Sequence, residues 1–381
     1  MSSSNSLRGA DSVLTVNAGS SSLRLVFWSL AKQAEPLAAV NLSPAPDARS
    51  KVFSKFLDSE DLARPRLVIH RIVHGGTTLT SPTLLDESVL AEIKRLSSIA
   101  PLHNKAALKW VQAARQAFGS DLLQGACFDT SFYANLPEAA ARYALPTALA
   151  RRHGLRRYGF HGLAHQSMLE QWQFHCEPCA ERKVISLQLG SGCSVTASSR
   201  GQPLETSMGF SPLEGLIMAT RCGNVDPAAV LHLLDQTGMT TTQLGEILNR
   251  ESGLLGVSGE TSDMRVLLAT DSAASRLAVD MFCHRIRHYI GAYLAVLGGA
   301  QAIVIGGGIG ENSPIIRQRI LEGFEWAGIR IDQRLNDSVV PVAPTPVHTG
   351  DSRVQIWVIP PNEAAVMADQ AESLLQAGRN I

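Results

Sequence analysis

An arginine lies within an apolar stretch of this sequence. Arg71 stands in RLVIHRIVHGG (residues 66–76), with histidines on both sides and two glycines after it. Burying a guanidinium without an anionic partner is costly, so its partner is either an internal acid or a bound anion. The adjacent glycines would let a ligand approach closely, which favours the bound anion over the internal ion pair.

Two histidines one helical turn apart follow in GFHGLAH. The spacing of His161 and His165 also suits a metal, but no HExxH glutamate and no third ligand accompany them, so zinc is not expected. His161, beside Phe160, is better explained as a hydrogen-bond donor to an anionic centre. Arg221, in the glycine-containing segment ATRCGNVDP, is a second candidate cation, with an ordinary surface arginine as the alternative.

Two carboxylates stand where strands end. Asp129 follows the apolar segment 122–128, a position at which α/β folds often place catalytic acids, although a helix or turn cap is the alternative. Glu363 follows IWVIPPN, so it could bind magnesium or simply favour the positive end of a helix.

Three glycine-rich turns could bind anionic oxygens. VLTVNAGSSSLRLVF (13–27) and VISLQLGSGCSVTASS (184–199) both run from an apolar strand through a Gly/Ser turn into a β-branched strand, which is a hairpin pattern. Adjacent backbone amides in such turns can form a nest for anions, although an ordinary hairpin turn is the alternative for either segment alone. The recurrence indicates a duplicated domain. With the third loop, IVIGGGIGEN (303–312), the set predicts a nucleoside triphosphate held between two domains.

The remaining pattern alternates strands and helices, which predicts an α/β fold of two domains. We expect connections without regular structure at 135–152 and, apart from some helix near 52–57, at 32–64. GFHGLAH is expected to place both histidines on a helix. Further helices are predicted at 86–98, 104–118, 228–236, 241–256, 314–326 and 362–377, with a helix pair at 264–297.

One stretch imitates a membrane span, since residues 289–310 carry no charge. Glycines interrupt it and the preceding segment is amphipathic, so we interpret it as a buried helix, a glycine turn and a buried strand. The predicted buried side of this helix carries Leu277, Met281, Tyr289, Tyr293 and Leu297. No membrane association is expected.

Composition excludes several classes of protein. The 381 residues include 34 basic and 34 acidic side chains, so no basic surface for nucleic acid is indicated. Residues 1–12 are polar and do not read as a signal peptide. The six cysteines are scattered, and Cys176 and Cys179 form a lone CxxC that is more easily explained as a loop feature than as a metal or redox site. Unpaired thiols favour a reducing, cytoplasmic setting.

The whole set of motifs resembles the acetate kinase family, which also contains propionate kinases, from about residue 13 to residue 367. The motifs occur in the family's order: VNAGSSSLR, HRIVHGG, APLHN, FDTSF, YGFHGLAH, SMGFSPLEGL, TRCGNVDP, SGETSDMR, GGGIGENS and IPPNE. The resemblance implies the duplicated, two-domain actin-like ATPase (ribonuclease H-like) fold with an interdomain cleft. It divides the chain into an N-terminal domain at 1–133, on which the helix 363–381 packs back, and a nucleotide-binding domain at 134–362.

The resemblance also implies a reaction: ATP and acetate would give ADP and acetyl phosphate, with Mg²⁺ or Mn²⁺ as cofactor and a homodimer as the assembly. Arg71, Asp129, His161 and Arg221 would be catalytic, and Asn17 and Glu363 would position the metal. Arg71 would hold the acid's carboxylate, and its methyl group would enter a pocket of Val73, Leu102, Phe160 and Pro212. The residues implied in ATP binding are Arg24, Gln188, Leu189, Gly190, Ser191, Gly192, Asp263, Met264, Arg265, Gly308, Ile309, Gly310, Glu311 and Asn312.

Several positions depart from the family pattern. Arg24 replaces a lysine, Gln188 a histidine, Ser191 an asparagine and Ala364 a glutamate, while Ala219 and Asn224 replace a glycine and an aspartate. Each change touches nucleotide or metal handling, so we expect retained activity with altered ATP or Mg²⁺ affinity. One alternative is a propionate kinase of the same family. The other is a family member that binds nucleotide but has no enzymatic activity.

Overall fold

The computed structural model describes residues 12–19, 22–30, 35–43, 49–97, 99, 103–175 and 181–378. The chain divides into two compact units, one made of Met1–Ala134 with Asn362–Ile381 and the other of Asn135–Pro361. Leu102 and the CxxC cysteines lie outside the described residues, as do Ser20 and Ser21 of the first glycine turn.

The first unit is built on a sheet in which hairpin strands meet parallel strands. Its order is β3-β2-β1-β4-β6-β5, with β1, β4 and β6 parallel and the other pairs antiparallel. The strands are β1 (Ser12–Ala18), β2 (Leu23–Ser29), β3 (Glu35–Leu42), β4 (Leu67–Ile72), β5 (Thr83–Leu84) and β6 (Leu123–Phe128). The parallel strands are nearly continuous runs of buried residues, as expected for strands covered on both faces.

The second unit repeats this arrangement. Its sheet has the order β9-β8-β7-β10-β12-β11, again with two antiparallel hairpins, three parallel strands and an antiparallel edge. The strands are β7 (Val184–Leu189), β8 (Cys193–Ser199), β9 (Gln202–Thr206), β10 (Ala302–Gly306), β11 (Thr345–Pro346) and β12 (Gln355–Val358). The predicted duplicated α/β organisation is therefore confirmed, and β1–β2 corresponds to β7–β8.

Helices accompany both sheets. Those of the first unit are α1 (Arg49–Ser59), α2 (Glu87–Leu96), α3 (Asn104–Phe118) and, from the end of the chain, α15 (Glu363–Gly378). Those of the second unit are α4 (Glu138–Ala141), α5 (Thr147–His153), α6 (Gly162–His175), α7 (Pro227–Thr237), α8 (Thr241–Arg250), α9 (Gly253–Ser258), α10 (Met264–Ala269), α11 (Ala273–Leu297), α12 (Gly307–Asn312), α13 (Pro314–Leu321) and α14 (Gln333–Asp337). None of the helices in the described ranges has the length and apolar character needed to cross a membrane.

Four predicted features were wrong. Residues 35–42 form β3, and 138–141 and 147–153 form α4 and α5, where connections were expected. β3 escaped notice because its residues are only half-buried at an edge, so they show little apolar alternation. His161 precedes α6 and is not part of it. Residues 307–312 of the third glycine loop form the short helix α12.

The uncharged stretch 289–310 is the end of α11, a left-handed Gly298 cap and β10, as predicted. Its buried side was partly misassigned, because Leu277 and Met281 are exposed while Val279, Phe282 and Ile286 are buried. Tyr293 and Leu297 are buried as expected.

Three histidines are buried in the two units, and burial lowers their pKa values. The pKa is about 4 for His70, even with a 2.8 Å hydrogen bond to Gln124, about 4 for His74 and about 3 for His165. Each ring is therefore neutral in the folded protein at pH 5 to 7.

This burial predicts a pH-dependent stability. Below pH 6.5 these histidines bind protons in the unfolded chain but not in the folded chain. The free energy of unfolding therefore falls as the pH is lowered toward 4. Each such histidine should lower the free energy of unfolding by about 2 kcal/mol between pH 7 and pH 5. In denaturant titrations, the free energy of unfolding of His70→Gln should fall by about 2 kcal/mol less between pH 7 and pH 5 than that of the wild type. His153→Gln, at an exposed position, should follow the wild type, and an unchanged slope in His70→Gln would contradict the prediction.

Candidate active site

Four predicted site residues of the first unit form one hydrogen-bonded cluster. Asn17 and Arg71 lie at the carboxyl ends of β1 and β4, and Asp129 directly follows β6, so parallel pairing brings them to one edge of the sheet. Glu363, the first residue of α15, completes the cluster. Arg71 binds Asp129 through Nε (3.1 Å) and Nη2 (2.8 Å), and binds Glu363 and the Asn17 amide oxygen through Nη1 (3.0 and 3.2 Å).

The guanidinium of Arg71 is thus paired with internal acids, the alternative that the sequence did not favour. Asp129 is 1% exposed and Arg71 15% exposed, so both charges depend on the pair. Burial alone would lower the pKa of Arg71, but the charges of Asp129 and Glu363 raise it above its usual value. Four of the five N–H groups are used, and the fifth, on Nη2, meets no acceptor among the described residues.

The oxygen donors of this cluster fit a hard cation. Asn17 donates from Nδ2 to Glu363, which places an amide oxygen and a carboxylate side by side, and Mg²⁺ prefers oxygen ligands of this kind. Within the described ranges no three His, Cys, Asp or Glu side chains gather as a metal cluster. A metal held by Asn17 and Glu363 would therefore take its other ligands from water and phosphate. Arg24 lies directly across from Asn17 in the β1–β2 register and is exposed.

In the second unit, His161 and Arg221 converge on the turn between β7 and β8. A Cβ added to Gly192 would lie 3.2 Å from His161 Nε2 and 3.5 Å from Arg221 Nη1. The turn is closed by Gly190, whose N–H donates to the Gly192 carbonyl (3.1 Å). His161 has a φ of +58°, a strained left-handed conformation of the sort found at functional sites. Two potential donors thus face the glycine that the sequence assigned to phosphate binding.

Arg221 is the more unusual of the two. Its Nη1 donates to the Pro212 carbonyl (3.2 Å) and contacts Met218 Sδ (3.6 Å), and no carboxylate of the described residues pairs with it. Burial lowers its pKa from the usual value. A partly buried guanidinium without an internal acid is suited to a bound anion.

A cavity of about 790 Å³ adjoins this turn within the second unit. Predicted ATP-binding residues from three segments line it: Gly190 and Ser191; Asp263, Met264 and Arg265; and Gly308, Ile309 and Asn312. Asp263 caps α10 by accepting from Arg265 N (2.9 Å), and the Arg265 guanidinium lowers the pKa of this carboxyl to about 2. The cavity is large enough for a nucleoside with its phosphates.

The chain matches known proteins over most of its length. Residues 46–369 match the model of the Acetokinase family. The chain belongs to the acetokinase family. Over 306 residues it is 45% identical to a protein named acetate kinase from Chloroherpeton thalassium, a match that covers 78% of this chain and 73% of that protein.

Solved structures of the acetokinase family share the fold. The acetate kinase of Porphyromonas gingivalis aligns with a TM-score of 0.85 at 30% identity, covering 96% of this chain and all of that one. A propionate kinase from Francisella tularensis aligns with a TM-score of 0.83 at 30% identity, covering 95% and 99%. These matches confirm the predicted fold class and family.

The remaining predicted site residues are described by their burial and packing. In the second unit Phe160 is buried and Pro212 partly exposed, and in the first unit Val73 is partly exposed. Leu189 is buried in the sheet, and Gln188 has a buried Oε1 without a hydrogen-bond partner in the described part of the chain. Ala364, one of the positions predicted to depart from the family pattern, packs against Val26 and Trp28. That departure lies on the apolar side of α15.

Gly310 and Glu311 are part of the third glycine segment but do not line the cavity. A Cβ on Gly310 would come within 2.8 Å of Ile305, so this glycine permits close packing of α12 on β10. The backbone carbonyls of Gly310 and Glu311 accept from Arg317 Nη1 at 2.8 and 2.9 Å. Arg317 is 1% exposed and was not identified from the sequence. The neighbouring Arg319 is partly exposed, and nothing in PIIRQRIL distinguishes the two.

A group of hydrogen-bonded side chains that was not predicted from the sequence supports the loop that carries Pro212. Arg157 pairs with Glu214 (2.9 Å), and the Tyr143 hydroxyl bonds Glu214 and accepts from Phe210 N (2.8 Å). A Cβ on Gly209 would meet Glu214 Oε2 at 1.6 Å, so a larger residue there would displace the Glu214 carboxylate. The cluster thereby helps to hold the carbonyl that orients Arg221.

Proposed function

We propose that this protein is an acetate kinase, which transfers the γ-phosphoryl group of ATP reversibly to acetate and yields ADP and acetyl phosphate. The observation that carries the proposal is the convergence of His161 Nε2 and Arg221 Nη1 on Gly192, beside a nucleotide-sized cavity. Membership of the acetokinase family supports it.

The chemistry demands little proton transfer. An acetate oxygen attacks the γ-phosphorus while the bond to the bridging oxygen of ADP breaks, and acetate is already ionised at neutral pH. The enzyme therefore needs to align the reactants and to neutralise charge on the transferring group. Arg221 and His161 would donate to its equatorial oxygens, and the amides of residues 190–192 would bind the adjacent phosphates.

The first unit would handle the acid. The remaining N–H of Arg71 Nη2 would bind the acetate carboxylate, and Asp129 would hold the guanidinium in a fixed orientation as the catalytic carboxylate of the cluster. A magnesium or manganese ion bound by Asn17 and Glu363 would neutralise phosphate charge when present. Val73, Phe160, Pro212 and Leu102 would receive the methyl group.

The cavity would hold the nucleoside. Asp263–Arg265 and Gly308–Asn312 would contact the base and ribose, with Gln188–Gly192 on the phosphates. Arg24 would add a positive charge near the phosphates. Because Gln188 and Ser191 replace the family's usual residues, the affinity for ATP is expected to differ from that of typical members.

Propionate is the second candidate acceptor, supported by the solved propionate kinase among the structures that this chain resembles. One methylene changes binding by about 1–3 kcal/mol, so the two acids differ by a measurable factor in kcat/KM.

We further propose a cytoplasmic homodimer with no nucleic-acid partner. Cys127, Cys193, Cys222 and Cys283 carry free thiols, which supports a reducing compartment. The exposed Leu277, Met281 and Val296 on α11 and the exposed Trp326 supply an apolar surface for a second copy.

Trapping acyl phosphate with hydroxylamine tests the function. Purified protein with Mg·ATP should give hydroxamate from acetate, less from propionate and least from butyrate. Arg221→Ala should reduce the rate by about 10²–10³-fold, since it removes a donor to the transferring group. Arg276→Ala, at an exposed position paired with Asp271, should leave it unchanged. Binding of ATP without product from any acid would establish a nucleotide-binding protein in place of a kinase.

A further inference from the structure

A chain of hydrogen bonds leads from His161 into the interior of the second unit. His161 Nδ1 lies 2.9 Å from Ser194 Oγ, Ser194 Oγ lies 2.8 Å from His165 Nε2, and His165 Nδ1 lies 2.7 Å from Ser186 Oγ. His165 and Ser194 are fully buried and Ser186 is 2% exposed. The two serines stand on β7 and β8 and His165 on α6, so three elements of the second unit hold the chain in place.

Each group in the chain has limited hydrogen-bonding capacity. A serine hydroxyl has one proton to donate, and a neutral imidazole has one N–H and one bare nitrogen. Burial lowers the pKa of His165 to about 3, so this ring is neutral. Three arrangements satisfy all three bonds. Two run in opposite directions along the chain, and in the third Ser194 accepts from both rings, which leaves its own buried proton without an acceptor among the described residues.

In the first arrangement Ser186 donates to His165 Nδ1, His165 Nε2–H donates to Ser194, and Ser194 donates to His161 Nδ1. In the second, every bond is reversed and the Ser186 hydroxyl becomes an acceptor. The proton of Ser186 would then need another acceptor, and none is found for it among the described residues. A buried donor without a partner is unfavourable, so the first arrangement is preferred.

We propose that Ser186, His165 and Ser194 are positioning residues that hold His161 as the tautomer protonated at Nε2. With Nδ1 accepting from Ser194, the ring proton of neutral His161 must sit on the nitrogen 3.2 Å from the site of a Cβ on Gly192. A donor then points at the phosphoryl position without the ring having to become charged. The chain also fixes the ring orientation in the left-handed segment at His161.

The consequence for turnover rests on the proposed function, whereas the tautomer itself does not. Groups that orient a functional histidine typically contribute about 10- to 100-fold to activity. Removing the Ser194 hydroxyl should therefore lower kcat by that factor and leave KM for ATP and acetate within about twofold, because no binding contact is lost.

The test is nitrogen NMR on histidine-labelled full-length protein, with the His161 signals identified by their loss in His161→Asn. The wild type should show a bare Nδ1 and a protonated Nε2. Ser194→Ala should give a mixture of tautomers with the lowered kcat, and Ser186→Ala should shift the population in the same direction. Ser198→Ala is the matched control. This buried β8 serine donates to the Val184 carbonyl and takes no part in the hydrogen-bond chain. The variant should match the wild type in both measurements.

A wild-type spectrum with protonated Nδ1 on neutral His161 would overturn the proposal, and this result does not depend on whether any variant folds. An unchanged spectrum in Ser194→Ala, or equal losses of kcat in Ser194→Ala and Ser198→Ala, would overturn it too. Absence of acyl phosphate from the wild type, together with the expected spectrum, would refute the proposed function and leave the tautomer assignment supported.

Discussion

Replacing Arg71 with methionine is expected to lower acyl phosphate formation by about 10³-fold, because it removes the donors proposed for the acid. It should also cost about 3–5 kcal/mol of unfolding free energy, since Asp129 would remain as a buried charge without its partner. Hydroxamate assays and denaturant unfolding measure the two effects separately.

The double variant Arg71→Met/Asp129→Asn separates them further. Neutralising Asp129 removes the uncompensated charge, so stability should largely return while activity should not. Arg115→Met serves as the control, because this exposed arginine pairs with the exposed Glu87 and its loss should change neither measurement by much. An Arg71→Met protein that turns over at the wild-type rate would contradict the assignment of Arg71 to the active site.

Local pattern predicted the parts of the site that lie at strand ends. The Gly/Ser turns, the acid after β6 and the arginine within β4 could all be found because strand endings and glycines leave a visible signature. The order of the parallel strands, which the sequence did not predict, brings Asn17, Arg71 and Asp129 together in the structure.

Partner choice could not be predicted from the same patterns. The guanidinium of Arg71 pairs with Asp129 and Glu363, which lie 58 and 292 positions away along the chain. Arg317 and the Ser186–His165–Ser194 chain are likewise defined by contacts between separate elements. Such contacts come from tertiary packing, which a single sequence does not show.

Gly192→Ala should leave the fold intact and strongly reduce activity. The position has no left-handed φ that would exclude a side chain. The new methyl group would nevertheless sit 3.2–3.5 Å from His161 and Arg221, in the space proposed for the transferring phosphoryl. A displacement of about 1 Å from the reactive geometry can cost about 10²-fold, so we expect at least that loss in kcat/KM for ATP.

Gly245→Ala is the control for this result. Gly245 lies in the interior of α8, and a Cβ there would meet open space. It should keep full activity and gain about 0.5–1 kcal/mol in unfolding free energy, because alanine favours a helix over glycine. Thermal unfolding of Gly192→Ala close to that of the wild type, together with the loss in kcat/KM, would locate the defect at the turn. Wild-type kinetics in Gly192→Ala would mean that the phosphoryl group does not pass between His161 and Arg221, because a methyl group and a phosphoryl oxygen cannot share that space.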